Sequence, residues 1–241
     1  MSVPYSESAT VPSSHATSGL RYDVAQNLGQ VTAAWELVYR CYLRSGLIDP
    51  NQARIHTMGR VIGPDTVVVC GTIDRLAVST ITGVLDRPSG LPADVLFSDE
   101  LGAIRRSGRS LFELGLFADR RERLFRSVDA LLELMRFALH FGITSDGTDA
   151  VYCAHPDQAG MMEHLFGFEV ASDERPDPRL NDRPTVLLRL NWPARTNAAE
   201  MPGGLAYFVT QPVPAEAFAN RFDFSPEALG ESSIAPFCHT R

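Results

Sequence analysis

From residue 110 to 118 the chain reads Ser-Leu-Phe-Glu-Leu-Gly-Leu-Phe-Ala, apolar almost throughout with one carboxylate in the middle. Side chains of a strand alternate, so one face takes Leu111, Glu113, Gly115 and Phe117 and the other Phe112, Leu114, Leu116 and Ala118. A strand apolar on both faces is central and covered. Glu113 therefore stands where a charge is costly unless it is partnered or used. Gly115, two residues on, leaves room for another backbone or a ligand.

The pattern on either side predicts the rest of the domain. Residues 30–45 have Val31, Trp35, Val38 and Tyr42 on one helical face, and Gly46 ends the run. Two strands rich in valine, isoleucine and threonine follow at 66–73 and 76–85, joined by the Asp74-Arg75 turn into an antiparallel hairpin. Arg87-Pro88-Ser89-Gly90 breaks the chain, and Ser98 caps a short helix through Ser107. The longest helix is predicted at 121–141, with Leu124, Val128, Leu131, Met135 and Leu139 as its core stripe. Gly142 and the Ser145-Asp146-Gly147 turn stop it. A short apolar strand at 150–154, a helix at 158–166 capped by Gly167, and a strand at 185–191 complete the order. A strand–helix–strand run of this length implies parallel pairing through a right-handed crossover. The expected fold is a mixed α/β sheet covered by helices, an α+β arrangement over residues 21–192. Residues 1–20, rich in Ser, Thr, Pro and Ala, are expected to be a disordered tail. Residues 193–241, with few periodic signals, are expected to wrap the domain or hang free.

Composition narrows the chemistry. All 22 basic residues are arginine, which excludes Schiff-base, pyridoxal-phosphate and phosphate-loop lysine chemistry. The four cysteines (Cys41, Cys70, Cys153, Cys238) lie far apart, so neither a metal site nor a disulfide framework is expected. No apolar run approaches the ~20 residues of a membrane span, and the start has no secretory pattern, which points to the cytoplasm. The net charge of −7 argues against nucleic acid. Yet residues 105–126 hold Arg105, Arg106, Arg109, Arg120, Arg121, Arg123 and Arg126 against Glu113, Asp119 and Glu122, a basic zone on an acidic protein. The zone implies an anionic partner, or else a solvated helix surface paired with nearby acids. With a helix start that favours anions just after the Glu113 strand, the whole suggests an acyl or phosphate-bearing ligand.

Several segments carry a resemblance in this order: residues 37–48 (Leu-Val-Tyr-Arg-Cys-Tyr-Leu-Arg-Ser-Gly-Leu-Ile), Gly90-Leu91-Pro92, Phe112-Glu113-Leu114, residues 116–121 (Leu-Phe-Ala-Asp-Arg-Arg), His155-Pro156, and residues 165–169 (Leu-Phe-Gly-Phe-Glu). Over about residues 31–192 the chain resembles the long-chain N-acyl amino acid synthases and acyl-homoserine lactone synthases, a branch of the GCN5-related N-acyltransferase (GNAT) fold. The resemblance implies that the strands holding Glu113 and Cys153 splay apart around the pantetheine arm of an acyl donor. Glu113 would be the base or amine anchor. Gly115, Phe117, Arg120, Arg121, Arg123, Cys153 and His155 would bind donor and substrate, and Arg105, Arg106, Arg109 and Arg126 would dock an acyl carrier protein. The implied co-substrate is an acyl-phosphopantetheine thioester, on a carrier protein or coenzyme A, with no permanently bound cofactor; the acceptor is a small amine. A non-catalytic acyl-binding module and an acetyl-CoA-dependent acetyltransferase are the alternatives.

The chain departs from those relatives at four places. The pyrophosphate loop of acetyl-CoA-using members is replaced by the arginine-rich run after Asp119, which favours a carrier protein. Gly115 and Leu116 stand where autoinducer synthases have serine and arginine, which speaks against S-adenosylmethionine as acceptor. Met161 and Met162 stand where many relatives carry Phe-Tyr, so the tyrosine that protonates the leaving thiolate is missing. Asp157-Gln158 replaces a basic pair. Each site residue also has a plainer reading: Glu113 as a structural acid, His155 as a helix cap, Cys153 as inert packing.

Overall fold

The computed structural model describes residues 19–121 and 124–229. Its elements in chain order are β1 (Arg21–Val24), α1 (Leu28–Arg44), β2 (Thr66–Ile73), β3 (Leu76–Leu85), α2 (Asp94–Arg106), β4 (Leu111–Asp119), α3 (Leu124–Thr144), β5 (Asp149–Ala154), α4 (Pro156–Phe166), β6 (Glu169–Val170), β7 (Arg175–Asp177), β8 (Arg183–Asn191), α5 (Trp192–Thr196) and α6 (Gly203–Thr210). Eight strands form one sheet in the order β1-β2-β3-β4-β5-β8-β6, with β7 also on β8. Every pairing is antiparallel except β4 with β5. The expected mixed sheet is the observed one.

The hairpin falls where the sequence places it, because Asp74 and Arg75 both take the positive φ that a two-residue turn between twisted strands requires. Helix α1 starts at Leu28, where Asn27 accepts the N–H of Gln30 at 3.0 Å. Helix α2 begins earlier than the expected Ser98. It is kinked at Phe97, whose φ/ψ is not helical, so Ser98 opens only its second segment. Gly142 does not end α3. It lies inside the helix, where glycine is needed because a Cβ would stand 2.3 Å from the ring of Phe112.

Two cores lie on the two faces of the sheet. On one, α3, α4 and α6 cover Phe112, Leu114, Val67 and Ile81; on the other, α1 and α2 cover Leu111, Leu116, Ala118 and Val84. Strict alternation along β4 therefore fails past Gly115, and the expected row of Phe112, Leu114, Leu116 and Ala118 on one face is corrected. Thr82 pairs with Gly115 but Thr80 pairs with Ala118, so Leu116 and Phe117 together oppose Ile81 in a β-bulge. Leu116 sits at φ 51°, which costs about 1–2 kcal/mol in a non-glycine residue. Burying its side chain to 2% exposure returns about as much or more, roughly 1.5–3 kcal/mol. The bulge turns Leu116 onto the α1 face and sends Phe117 to the other.

Residues 193–229 wrap the sheet. Leu205, Phe208, Val213 and Phe218 enter the α3-side core, and Phe222, Phe224 and Leu229 the α1-side core. Phe208 stacks on Phe166 and Phe224 on Trp35. Of the tail expected at 1–20, residues 1–18 lie outside the described residues. No helix among the described residues is long and apolar enough to cross a membrane.

Candidate functional site

The two central strands part company halfway along. β4 and β5 pair from Leu111↔Asp149 to Leu114↔Tyr152 and no further, although β4 runs on to Asp119 and β5 to Ala154. β5 stays paired with β8 as far as Ala154↔Val186, so β4 is left without its partner. Its backbone groups facing β5 beyond Leu114 form no ladder, the state in which an extended ligand can add itself as a strand.

A cavity of about 450 Å³ fills this fork. Its walls are Cys41 and Tyr42 at the end of α1, Leu47 after it, Phe117, Ala118 and Asp119 of β4, and Tyr152, Cys153 and Ala154 of β5. His155, Arg183 and Thr185 line it too. The two tyrosines come from opposite sides of the sheet: Tyr42 packs with the α1-side core and Tyr152 with the α3-side core. Burial raises both phenols, Tyr152 to about 12, and the charge of Tyr152 adds to the rise at Tyr42. The His56 ring lies tilted against Tyr42, with ring centroids 5.2 Å apart and planes at 45°. Burial lowers His56 to about 4, so its ring is neutral.

Glu113 is buried, 2% exposed, but does not line the fork. Its carboxylate accepts the N–H of Ala93 at 2.7 Å and borders a gap between Met58, Thr82, Pro92 and Gly115 that is too narrow for water. The expected view from Glu113 into the fork is thus corrected: Cys153 lines the fork, and the Glu113 charge acts on it from beneath. Burial pushes Glu113 up to about 7. Gly115 leaves its room to Met58, whose methyl lies 3.4 Å from where a Cβ would be. Below Glu113, Arg179 grips Asp177 at 2.9 and 2.7 Å and the carbonyl of Pro92 at 2.8 Å, tying β7 to the loop that Glu113 holds. Cys153 is a free thiol pushed up mainly by burial, so it is not a thiolate. His155 does what its plainer reading said: as N-cap of α4, its Nδ1 accepts the N–H of Asp157 at 3.3 Å.

The basic zone is not one surface. Arg105 is bound by Asp86 and Asp94 through four hydrogen bonds of 2.6–2.9 Å. Arg109 is bound by Asp149 at 2.6 Å and by Asn191 at 2.8 Å. Both, with the exposed Arg106, belong to the N-terminal end of β4; Arg120 and Arg121 follow its C-terminal end, roughly 30 Å of strand away. Proximity in sequence across a strand is distance in space, so the single expected docking face is corrected. Arg121 clasps Asp119 at 2.9 and 2.7 Å. Arg120 is exposed, beside a depression of about 510 Å³ that it lines with Arg121, Arg40 and Arg44. Arg123 lies outside the described residues, and of Arg126 only the backbone is described.

Sequence reasoning missed Tyr42, Tyr152, Arg179, Asp177 and Arg183 as neighbours of the site. The first two read as ordinary apolar positions. The others fall in a polar stretch without periodicity, whose only cue is the Asp177-Pro178 turn that positions Arg179.

A family model for the N-acyl amino acid synthase FeeM matches residues 33–191. No curated protein matches the chain by sequence. Among solved structures, FeeM, an N-acyl amino acid synthase from uncultured soil microbes, superposes with a TM-score of 0.63 at 19% identity, covering 84% of this chain and 99% of that one. BjaI, a CoA-dependent acyl-homoserine lactone synthase solved with SAM and isopentyl-CoA, gives 0.54 at 13% identity over 84% and 98% of the two chains. The acyl-homoserine lactone synthase LasI gives 0.52 at 13% identity over 72% and 90%.

Proposed function

The chain belongs to the N-acyl amino acid synthase FeeM family of N-acyltransferases, and on that premise we propose that it moves a fatty acyl group from a phosphopantetheine thioester to the amine of an amino acid or related small metabolite. The observation that carries this is the fork, where β4 is left unpaired beside a cavity walled by Tyr42, Phe117, Tyr152 and Cys153.

The pantetheine arm lies along the free edge of β4, with the thioester carbonyl between Phe117 and Tyr152. The acceptor enters on the Arg183 side. Arg183 lines the cavity and has no acid partner among the described residues, so it is placed to hold an acceptor carboxylate. The attacking amine must be neutral and must shed a proton as the amide forms. Glu113 acts from beneath the floor as a positioning residue: it fixes Ala93, and its charge favours the cationic centre that develops on the attacking nitrogen. Arg40, Arg44 and Arg120 form the basic mouth for the phosphate of the donor and the acidic face of a carrier protein.

The test is purified protein incubated with dodecanoyl-carrier protein or dodecanoyl-CoA and the common amino acids, with mass spectrometry of the products. New N-dodecanoyl amino acids are expected, at a higher kcat/KM from the carrier protein. Donor binding without any acyl product would instead support a module that only binds acyl ligands.

A further inference from the structure

On the reading just given, the leaving thiolate needs a proton, and the α4 positions where relatives carry the acid tyrosine hold methionines. Met162 is buried in the α3-side core and Met161 is exposed. Of the carboxylates nearby, Asp119 is held by Arg121, and Asp157 is exposed at the cap of α4 and does not line the fork. Cys153 stays a thiol, a weak hydrogen-bond donor.

We propose that Tyr152 is the acid that protonates the departing pantetheine thiolate, in place of a tyrosine on α4. Its position is the first support. Tyr152 makes the last pair between β4 and β5, so its side chain leaves the sheet at the point where the fork opens, and it lines the cavity there. Its side is the second. It packs on the α3 and α4 face, the same face as Met162, whereas Tyr42 packs on the α1 side. The phenol hydroxyl also has no hydrogen-bond partner among the described residues, so nothing in the chain competes for its proton. Being raised to about 12, the phenol is protonated throughout the working range of the protein.

In the step, the nitrogen lone pair forms a bond to the thioester carbon and the C–S bond breaks, its electron pair leaving on sulfur. The Tyr152 hydroxyl gives its proton to that sulfur, and the phenolate takes back the proton that the nitrogen sheds. The sum is thioester plus amine to amide plus thiol.

A leaving group that is already a weak base does not need this proton, which separates chemistry from structure. Dodecanoyl thioesters of N-acetylcysteamine and of trifluoroethanethiol serve as donors, with the common amino acids supplied together. Tyr152→Phe is expected to lose about 10²-fold or more in kcat with the first donor, the range of general-acid contributions. With the second donor it is expected to lose only a few-fold. Tyr42→Phe is expected to lose equally with both. Equal losses for Tyr152→Phe, or selective rescue of Tyr42→Phe instead, would overturn the assignment. If Tyr152→Phe does not fold, the wild-type enzyme decides: a series of alkyl and fluoroalkyl thioesters should give nearly constant kcat, and a steep rise as the thiol becomes more acidic would overturn the assignment. Wild-type protein that turns over none of the donors would remove the acyltransferase reading itself, a result distinct from turnover without a role for Tyr152.

Discussion

The two ends of β4 are built from the same residue types and do opposite things. At the N-terminal end, Arg105, Arg109 and Arg189 are consumed by Asp86, Asp94 and Asp149. Gly142 and Gly147 close onto Phe112, and β4 and β5 are paired. At the C-terminal end the strands part, Arg120 and Arg183 have no acid partner among the described residues, and the tyrosines face a cavity. One end locks the sheet so that the other can stay open. An arginine count cannot tell them apart; the distribution of carboxylates can.

The largest test of that division is Asp149→Ala. Asp149 is fully buried and takes Arg109 at 2.6 Å and Arg189 at 2.7 Å. Its removal leaves two guanidinium groups without their acid, for which a loss of about 3–5 kcal/mol is expected in urea denaturation. The Michaelis constants of the protein that still folds should be close to wild type, since the fork is at the far end of the strand. A loss below ~1 kcal/mol would mean that the locked end is not where the sheet is held.

Glu113, between the two ends, should show the reverse sign. Its carboxyl titrates near 7 in the folded protein and near ~4.3 unfolded, so the folded state holds its proton longer. The group is neutral in both states well below pH 4 and costs nothing there. Stability falls as pH rises through that window, by on the order of 3 kcal/mol when complete. Glu113→Gln removes the charge and keeps an oxygen for Ala93, so it should be more stable than wild type at pH 8 and similar at pH 4. Its kcat should drop. Urea melts at the two pH values check the first part; a variant destabilised at pH 8 would show that the carboxylate is held by stronger partners than Ala93.

Much of this was legible in the sequence. The hairpin, α1, α3 and the parallel β4–β5 pair follow from periodicity and turn chemistry, and a splay of these two strands follows from the resemblance, but not that it begins after Leu114. The bulge was not. Its strained residue is Leu116 rather than the adjacent Gly115, so the composition pointed one residue away from the positive φ. Strands as short as β6 and β7 have no period to detect, and so Arg179 and Asp177 were not placed beneath Glu113. The C-terminal segment hid its aromatic anchors, Phe208, Phe218, Phe222 and Phe224, because each packs through irregular chain and none repeats.

The smallest expected effects belong to the open end, and they sharpen the contrast most. Arg40 is exposed and only loosely paired with Glu36 at 4.0 Å, and Arg120 is exposed beside the same depression. Such surface pairs contribute ~0.2–1 kcal/mol each, so Arg40→Glu with Arg120→Glu should leave the melting temperature nearly unchanged. Long-range charge acts on encounter, however, and salt screens it. The double variant should therefore raise KM for an acyl-carrier protein several-fold at low ionic strength, with the difference shrinking as salt is added. KM for the N-acetylcysteamine thioester, which carries no phosphate and no acidic protein, should not move. Arg105→Glu is the matching change at the locked end: it faces Asp86 and Asp94 with a third acid, so it should lower stability and leave the salt dependence of KM as it was. If both changes shifted KM alike, the two ends would form one docking surface after all. If neither did, the donor would reach the fork by a route that does not pass the arginines.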